Sequence, residues 1–127
     1  LPPSDVAAWA ALVLLLFTAA LGWILRRLGR GSFITRMRPH MWLGYAVLVL
    51  ASVHMWLSTS GMAGANANGI WFASFALLGL GVQAFIGASL QAPGAYRGPL
   101  RRWHLYIFVI VLGLSFGHVL FNGPMAP

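Results

Sequence analysis

The chain has four histidines, and they fall into two matched pairs: His40 with His54, and His104 with His118, each pair fourteen residues apart. Neutral imidazole offers a nitrogen lone pair and ligates iron well. On a helix, fourteen residues turn through roughly 1400°, about 40° short of four turns, and rise about 21 Å. Each pair thus presents two imidazoles on nearly one face, one towards each end of an apolar segment. Two such segments facing each other would supply an imidazole pair at each of two levels. That is a ligand set for two bis-histidine hemes stacked across a bilayer. Two imidazoles on one iron leave no coordination position open, so such a heme passes electrons and does not readily bind oxygen. Each ligating ring should direct its other N–H to a carbonyl or hydroxyl; Ser52 and Ser115 lie in the right regions.

Taken singly, His40 and His104 could be wet interfacial residues, and His54 and His118 could be interhelical hydrogen-bond partners. Ionisable side chains inside a membrane are costly and usually mark function. The equal spacing, the common register and the lack of any other histidine argue against accident.

The elements that carry these rings follow from composition. Of 127 residues, 60% are hydrophobic and 7% charged, against about 25% charged in an ordinary soluble domain. The expectation is an all-α integral membrane protein, a single membrane domain over residues 1–127. There is no cysteine, which excludes disulfides, thiolate metal sites, iron–sulfur clusters and thioether attachment of heme. A heme here would be non-covalent, of the b type. The net charge of +7 comes from eight arginines and Asp5, with no lysine. The arginines are confined to two short segments between apolar spans, where they read as topology signals and not as a nucleic-acid surface.

Four stretches approach the roughly 20 residues that cross a bilayer, at about 6–25, 39–57, 70–90 and 100–121. Ser4 or Asp5 is a candidate N-cap for the first, and Pro39 suits the first turn of the second. Pro93–Gly94 ends the third, and Asn122–Gly123–Pro124 the fourth. Arg26, Arg27, Arg30, Arg36 and Arg38 lie between the first two spans, and Arg97, Arg101 and Arg102 between the last two. The middle joint and both termini carry no basic side chain. The positive-inside rule makes the arginine joints cytoplasmic. The expected architecture is a four-helix up-down-up-down transmembrane bundle with both termini outside. His40 is then level with His104 on the cytoplasmic side, and His54 with His118 on the outer side.

An internal repeat agrees. His40 and His104, His54 and His118, Arg38 and Arg102, and Trp42 and Tyr106 are all offset by 64 residues. Each half reads as a leading helix, an arginine joint and a histidine helix.

Other residues are candidates beside the rings. Small residues let a macrocycle approach a backbone and also promote helix packing. Gly44, one turn from His40, and Gly117, beside His118, are chosen for the macrocycle over Gly22, Gly79, Gly81, Gly87 and Gly113. Arg36, Arg38, Arg101 and Arg102 stand where heme propionates would need cations, unless they serve topology alone. On the outer side only water, Asn66, Asn68, Asn122 and backbone N–H groups are on offer. Five tryptophans near span ends fit an aromatic belt. No carboxylate lies inside a span, no hydrolytic triad is plausible, and no glycine-rich nucleotide loop appears. Gln83, a strongly polar amide within a span, either bonds a neighbouring helix or touches a quinone.

The segments RMRPHMWLGYAVLVLASVHMWL and LRRWHLYIFVIVLGLSFGHVLF resemble the paired histidine helices of ferric reductase-like transmembrane domains. The two-by-two ligand plan is similar to that of diheme transmembrane cytochromes b. The resemblance covers the second and fourth spans well and the first and third only as apolar walls. It implies one heme b held by His40 and His104 on the cytoplasmic side and a second held by His54 and His118 on the outer side. Ferric reductases usually have about six membrane helices and attached flavin and nicotinamide domains; this chain has four expected helices and neither domain.

The resulting expectation is a diheme b-type cytochrome that conducts electrons across the membrane. It would serve as a subunit of a larger oxidoreductase more than as an enzyme alone, with protein donor and acceptor subunits or the quinone pool as partners. The alternatives are a quinol-oxidising or quinone-reducing subunit, a protein with only one level filled, and a heme-free assembly or metal-transport module. The arginine-only, alanine-rich composition suggests a bacterial inner membrane.

Overall fold

A computed structural model describes residues 1–29, 31–92 and 96–122. Arg30, Pro93–Gly94 and Gly123–Pro124, expected to mark a joint and two helix ends, lie outside the described residues. Four helices account for most of the chain: α1 (Pro3–Arg27), α2 (Phe33–Ser58), α3 (Ala67–Ser89) and α4 (Arg97–Asn122), with a short 3-10 helix at Thr59–Gly64 after α2. No strand occurs among the described residues.

Each helix is long and apolar enough to cross a membrane. Helices of 23 to 26 residues run about 35–39 Å, against a hydrocarbon core of about 30 Å. Large apolar side chains such as Leu78, Phe85 and Phe116 are mostly exposed. Water would penalise that exterior and lipid would not, so the chain is a membrane protein.

The helices begin earlier than the sequence predicts. The N-cap of α1 is Pro2, without a side-chain bond, and Pro3 opens the helix. Proline is accepted there because its missing N–H has no helical partner at that position. Ser4 and Asp5 fall inside the first turn, and Ser4 Oγ bonds Asp5 at 3.3 Å. In α2, Pro39 is interior and not in the first turn. The start is set by Ser32, whose Oγ accepts the Thr35 N–H at 3.2 Å while its carbonyl accepts that of Arg36 at 3.1 Å. Of the arginines expected in the joints, Arg26, Arg27, Arg36, Arg38, Arg97, Arg101 and Arg102 belong to helix ends. Arg26 and Arg27 close α1, where cations favour the negative end of the helix dipole.

The chain divides into two compact units, residues 1–57 and 58–127. The first is essentially α1 and α2. The beginning of α2 meets the second half of α1 through His40 and Thr18, and its end meets the beginning of α1 through His54 and Ser4. The two helices therefore pair antiparallel. The second unit is built alike: His104 early in α4 rests at Gly87 late in α3, and His118 late in α4 bonds Gly69 early in α3.

The second hairpin is also clamped at its open end. Asn66 caps α3 by accepting the Asn68 N–H at 2.9 Å. Asn122, the last residue of α4, accepts the Asn66 N–H at 2.7 Å and donates from Nδ2 to the Asn66 carbonyl at 3.1 Å. These amides, expected as possible partners for outer propionates, are thus engaged with each other.

Candidate functional site

In each hairpin the histidines belong to a heptad seam. His40, Val47 and His54 are seven residues apart along α2, as are His104, Val111 and His118 along α4. A heptad is the period at which a helix keeps one line of side chains against a neighbour. The two valines, midway between the rings, are only 2% and 1% exposed. They are the most deeply buried large side chains among the described residues. The spacing that suggested a ligand set is therefore also the packing period of the hairpin.

Glycines on the leading helices make room for this seam. A Cβ added to Gly22 would stand 2.7 Å from His40 Nδ1 and 2.8 Å from its Cε1, closer than real Cβ contacts come. At Gly79 it would stand 2.5 Å from a Val111 methyl, and at Gly87 3.5 Å from His104 Cε1. At Gly69 it would collide with the Asn122 amide.

The leading helices also orient the rings through their backbones. His40 Nδ1 lies 2.8 Å from the Thr18 carbonyl oxygen, His54 Nδ1 2.9 Å from that of Ser4, and His118 Nδ1 2.9 Å from that of Gly69. A carbonyl can only accept, so Nδ1 carries the proton in each case. In the neutral ring the lone pair then resides on Nε2. This is the arrangement by which metal-ligating histidines are held in one tautomer and made more basic. All four rings are half-buried. The residues thus have the chemistry that histidine ligation of a b heme needs: three imidazoles of defined tautomer, with the two rings of each helix two heptads apart, in a chain without cysteine. Among the described residues no three His, Cys, Asp or Glu side chains gather into a site for a bare metal ion.

The other candidates separate. Gly117 packs within the second hairpin, its added Cβ falling 3.2 Å from the Phe72 ring. That is a helix-packing contact. Gly44 has nothing within 4 Å of the same position, so its face of α2 is open. Arg38, Arg101 and Arg102 are exposed. Arg36, one turn before His40, is half-buried, and its Nε is shielded from solvent with no hydrogen-bond partner among the described residues. Arg26 Nε donates to the Gly22 carbonyl at 3.1 Å, which brings a second cation to the end of α1 that carries the His40 contact. Ser52 Oγ bonds the Leu48 carbonyl at 2.8 Å and so is turned to its own helix.

The carbonyls of Ser4, Thr18 and Gly69 were not foreseen, because a backbone acceptor leaves no mark in residue type. A signal for their location did exist. The leading helices repeat with an offset of 65: Ser4 with Gly69, Ala11 with Ala76, Leu15 with Leu80, and Gly22 with Gly87. Within this set Ala11, Leu15, Gly22, Gly69, Ala76 and Leu80 are buried.

No family model, no curated protein and no solved structure matches this chain.

Proposed function

We propose that the protein is a diheme b-type membrane cytochrome. Each heme would take one histidine from each hairpin, His40 with His104 and His54 with His118. The observation that carries this reading is the bonding of His40, His54 and His118 through Nδ1 to leading-helix carbonyls, which puts the lone pair of each neutral ring on Nε2, the atom a heme iron would take. The hairpins would then act as two similar half-sites, each offering two imidazoles from a glycine-cleared seam.

The reading includes an up-down-up-down bundle in a bacterial inner membrane, with the arginine-bearing helix ends cytoplasmic and both termini outside, as the positive-inside rule requires. Bound heme would supply reversible one-electron chemistry at each level, carrying electrons between a donor and an acceptor on opposite sides. The chain's own residues do the rest. The four imidazoles would hold the hemes, and the apolar helices would exclude water. Arg36, beside His40, offers a partly buried cation to a propionate. Donor and acceptor would be other subunits or a quinone.

Single alanine substitutions test the pairing. His40→Ala and His104→Ala should each remove the same heme, and His54→Ala and His118→Ala the other, read as two matching pairs of redox titration curves. Loss patterns that pair His40 with His54 would refute the ligand assignment.

A further inference from the structure

The arginines of the first hairpin have no acidic side chain to meet at their end of it. The one acidic residue of the chain, Asp5, stands in the first turn of α1, at the opposite end of that helix from Arg26 and Arg27. Cations stand on both helices of this hairpin: Arg26 and Arg27 close α1, and Arg36 and Arg38 lie near the start of α2. The His40 ring rests on Gly22. Arg26 is one turn beyond that glycine, and Arg36 is one turn before that histidine. In an antiparallel pair the two arginines therefore stand level across the seam, one turn outside the contact. Like charges so placed repel each other. Arg36 also lies at the positive end of the α2 dipole, where a cation is disfavoured.

These side chains are held more closely than a topology signal requires. Arg26 Nε donates to the Gly22 carbonyl at 3.1 Å, which leaves the terminal nitrogens of the guanidinium for another acceptor. The Arg27 guanidinium lies over the Trp23 ring, 4.9 Å from its centroid. Arg36 Nε is shielded from solvent and has no hydrogen-bond partner among the described residues, a costly state for a charged donor. One anion with several oxygens would relieve both the repulsion and the stranded donor. Trp23 is 56% exposed near the end of an apolar helix, as tryptophans are at the level of lipid headgroups.

We infer that the arginine end of the first hairpin binds the phosphate of an anionic phospholipid, with Arg26 and Arg36 as a clamp from two helices and Arg27 beside them. A guanidinium is a planar fork of donors that matches phosphate oxygens, and the α2 dipole favours an anion at the same place. The second hairpin has no such clamp: Arg97, Arg101 and Arg102 are all on α4, and α3 carries no arginine. The site does not rest on the diheme reading. A heme propionate would compete for Arg36, and only in heme-loaded protein.

The test is a lipid titration of the delipidated full chain in neutral detergent, read by native mass spectrometry. Phosphatidylglycerol and phosphatidylcholine are added separately. Wild type should bind phosphatidylglycerol in clear preference. Arg26→Gln combined with Arg36→Gln should weaken that binding roughly fivefold for each arginine removed and leave phosphatidylcholine unaffected. Arg101→Gln combined with Arg102→Gln should leave the preference intact. Because lost charge can also upset membrane insertion, Arg26→Lys combined with Arg36→Lys is the second variant. It keeps the charge and removes the donor forks, so phosphatidylglycerol binding should still weaken severalfold. Wild-type binding in the lysine variant, or an equal loss in the Arg101 and Arg102 variant, would reduce the arginines to a diffuse field and overturn the site. Release of phosphatidylglycerol on adding hemin would give Arg36 to a propionate and overturn it as well. Heme counted per chain in the same preparations reports on the cytochrome reading separately.

Discussion

The ring of His40 rests directly on Gly22, so closely that a methyl group at position 22 would stand 2.7 Å from Nδ1. Ring and glycine are one device: the missing side chain lets the imidazole reach the Thr18 carbonyl at 2.8 Å. Gly22→Ala should push the ring off that carbonyl. Affinity for the heme proposed at His40 should fall about tenfold or more, the usual cost of losing an outer-shell partner, while helix content by circular dichroism stays constant. Gly87→Ala is the control. Its Cβ would stand 3.5 Å from His104, an ordinary contact, so the loss should be smaller.

Gly44 and Gly117 should behave oppositely. An added Cβ at Gly117 meets the Phe72 ring at 3.2 Å. Gly117→Ala should therefore lower the thermal unfolding midpoint, by the equivalent of about 1 kcal/mol of overpacking. Gly44→Ala meets nothing within 4 Å and should leave that midpoint unchanged. If the open face at Gly44 receives a macrocycle, Gly44→Phe should reduce heme retention without lowering the unfolding midpoint of heme-free protein.

Asn122 ties the two ends of the second hairpin with two hydrogen bonds to Asn66. Asn122→Ala should cost about 1 kcal/mol, the net worth of a hydrogen bond, since both bonds are exposed and solvent can replace them. Amide hydrogen exchange should quicken at residues 66–69 and remain unchanged in the middle of α3.

Arg36 and Arg38 differ by two residues in sequence and sharply in environment, one half-buried with a shielded Nε and the other exposed. If Arg36 pairs with a propionate, Arg36→Gln removes a cation near the iron and favours the ferric state. The midpoint of the cytoplasmic-side heme should then fall, by the equivalent of about 1 kcal/mol or less for a partly exposed pair. Arg38→Gln should move it less. Equal shifts for the two variants would mean that the arginines act only as a diffuse field.

Much of this was legible in the sequence, for physical reasons that differ by residue. Four spans follow from runs of apolar side chains too long for a soluble core. The common face of His40 and His54 follows from helix geometry alone. Helix starts were less legible. Pro39 reads as a first-turn residue, yet α2 begins at Phe33 because Ser32 caps it locally and a membrane helix tolerates an interior proline. The partners of the rings were illegible for a deeper reason: three of them are backbone carbonyls, and any residue type has one. Gly117 shows the limit of reading glycines singly. Beside a histidine it suggests a cofactor, and only its facing residue, Phe72, reveals a packing role.

The most direct measurement is the visible spectrum of the purified full chain, oxidised and dithionite-reduced, with heme counted per chain as the pyridine adduct. The account predicts two b hemes per chain, a sharp reduced α-band and no change on adding carbon monoxide, since two imidazoles leave no site on either iron. A colourless protein from cells grown with ample iron and heme would contradict it.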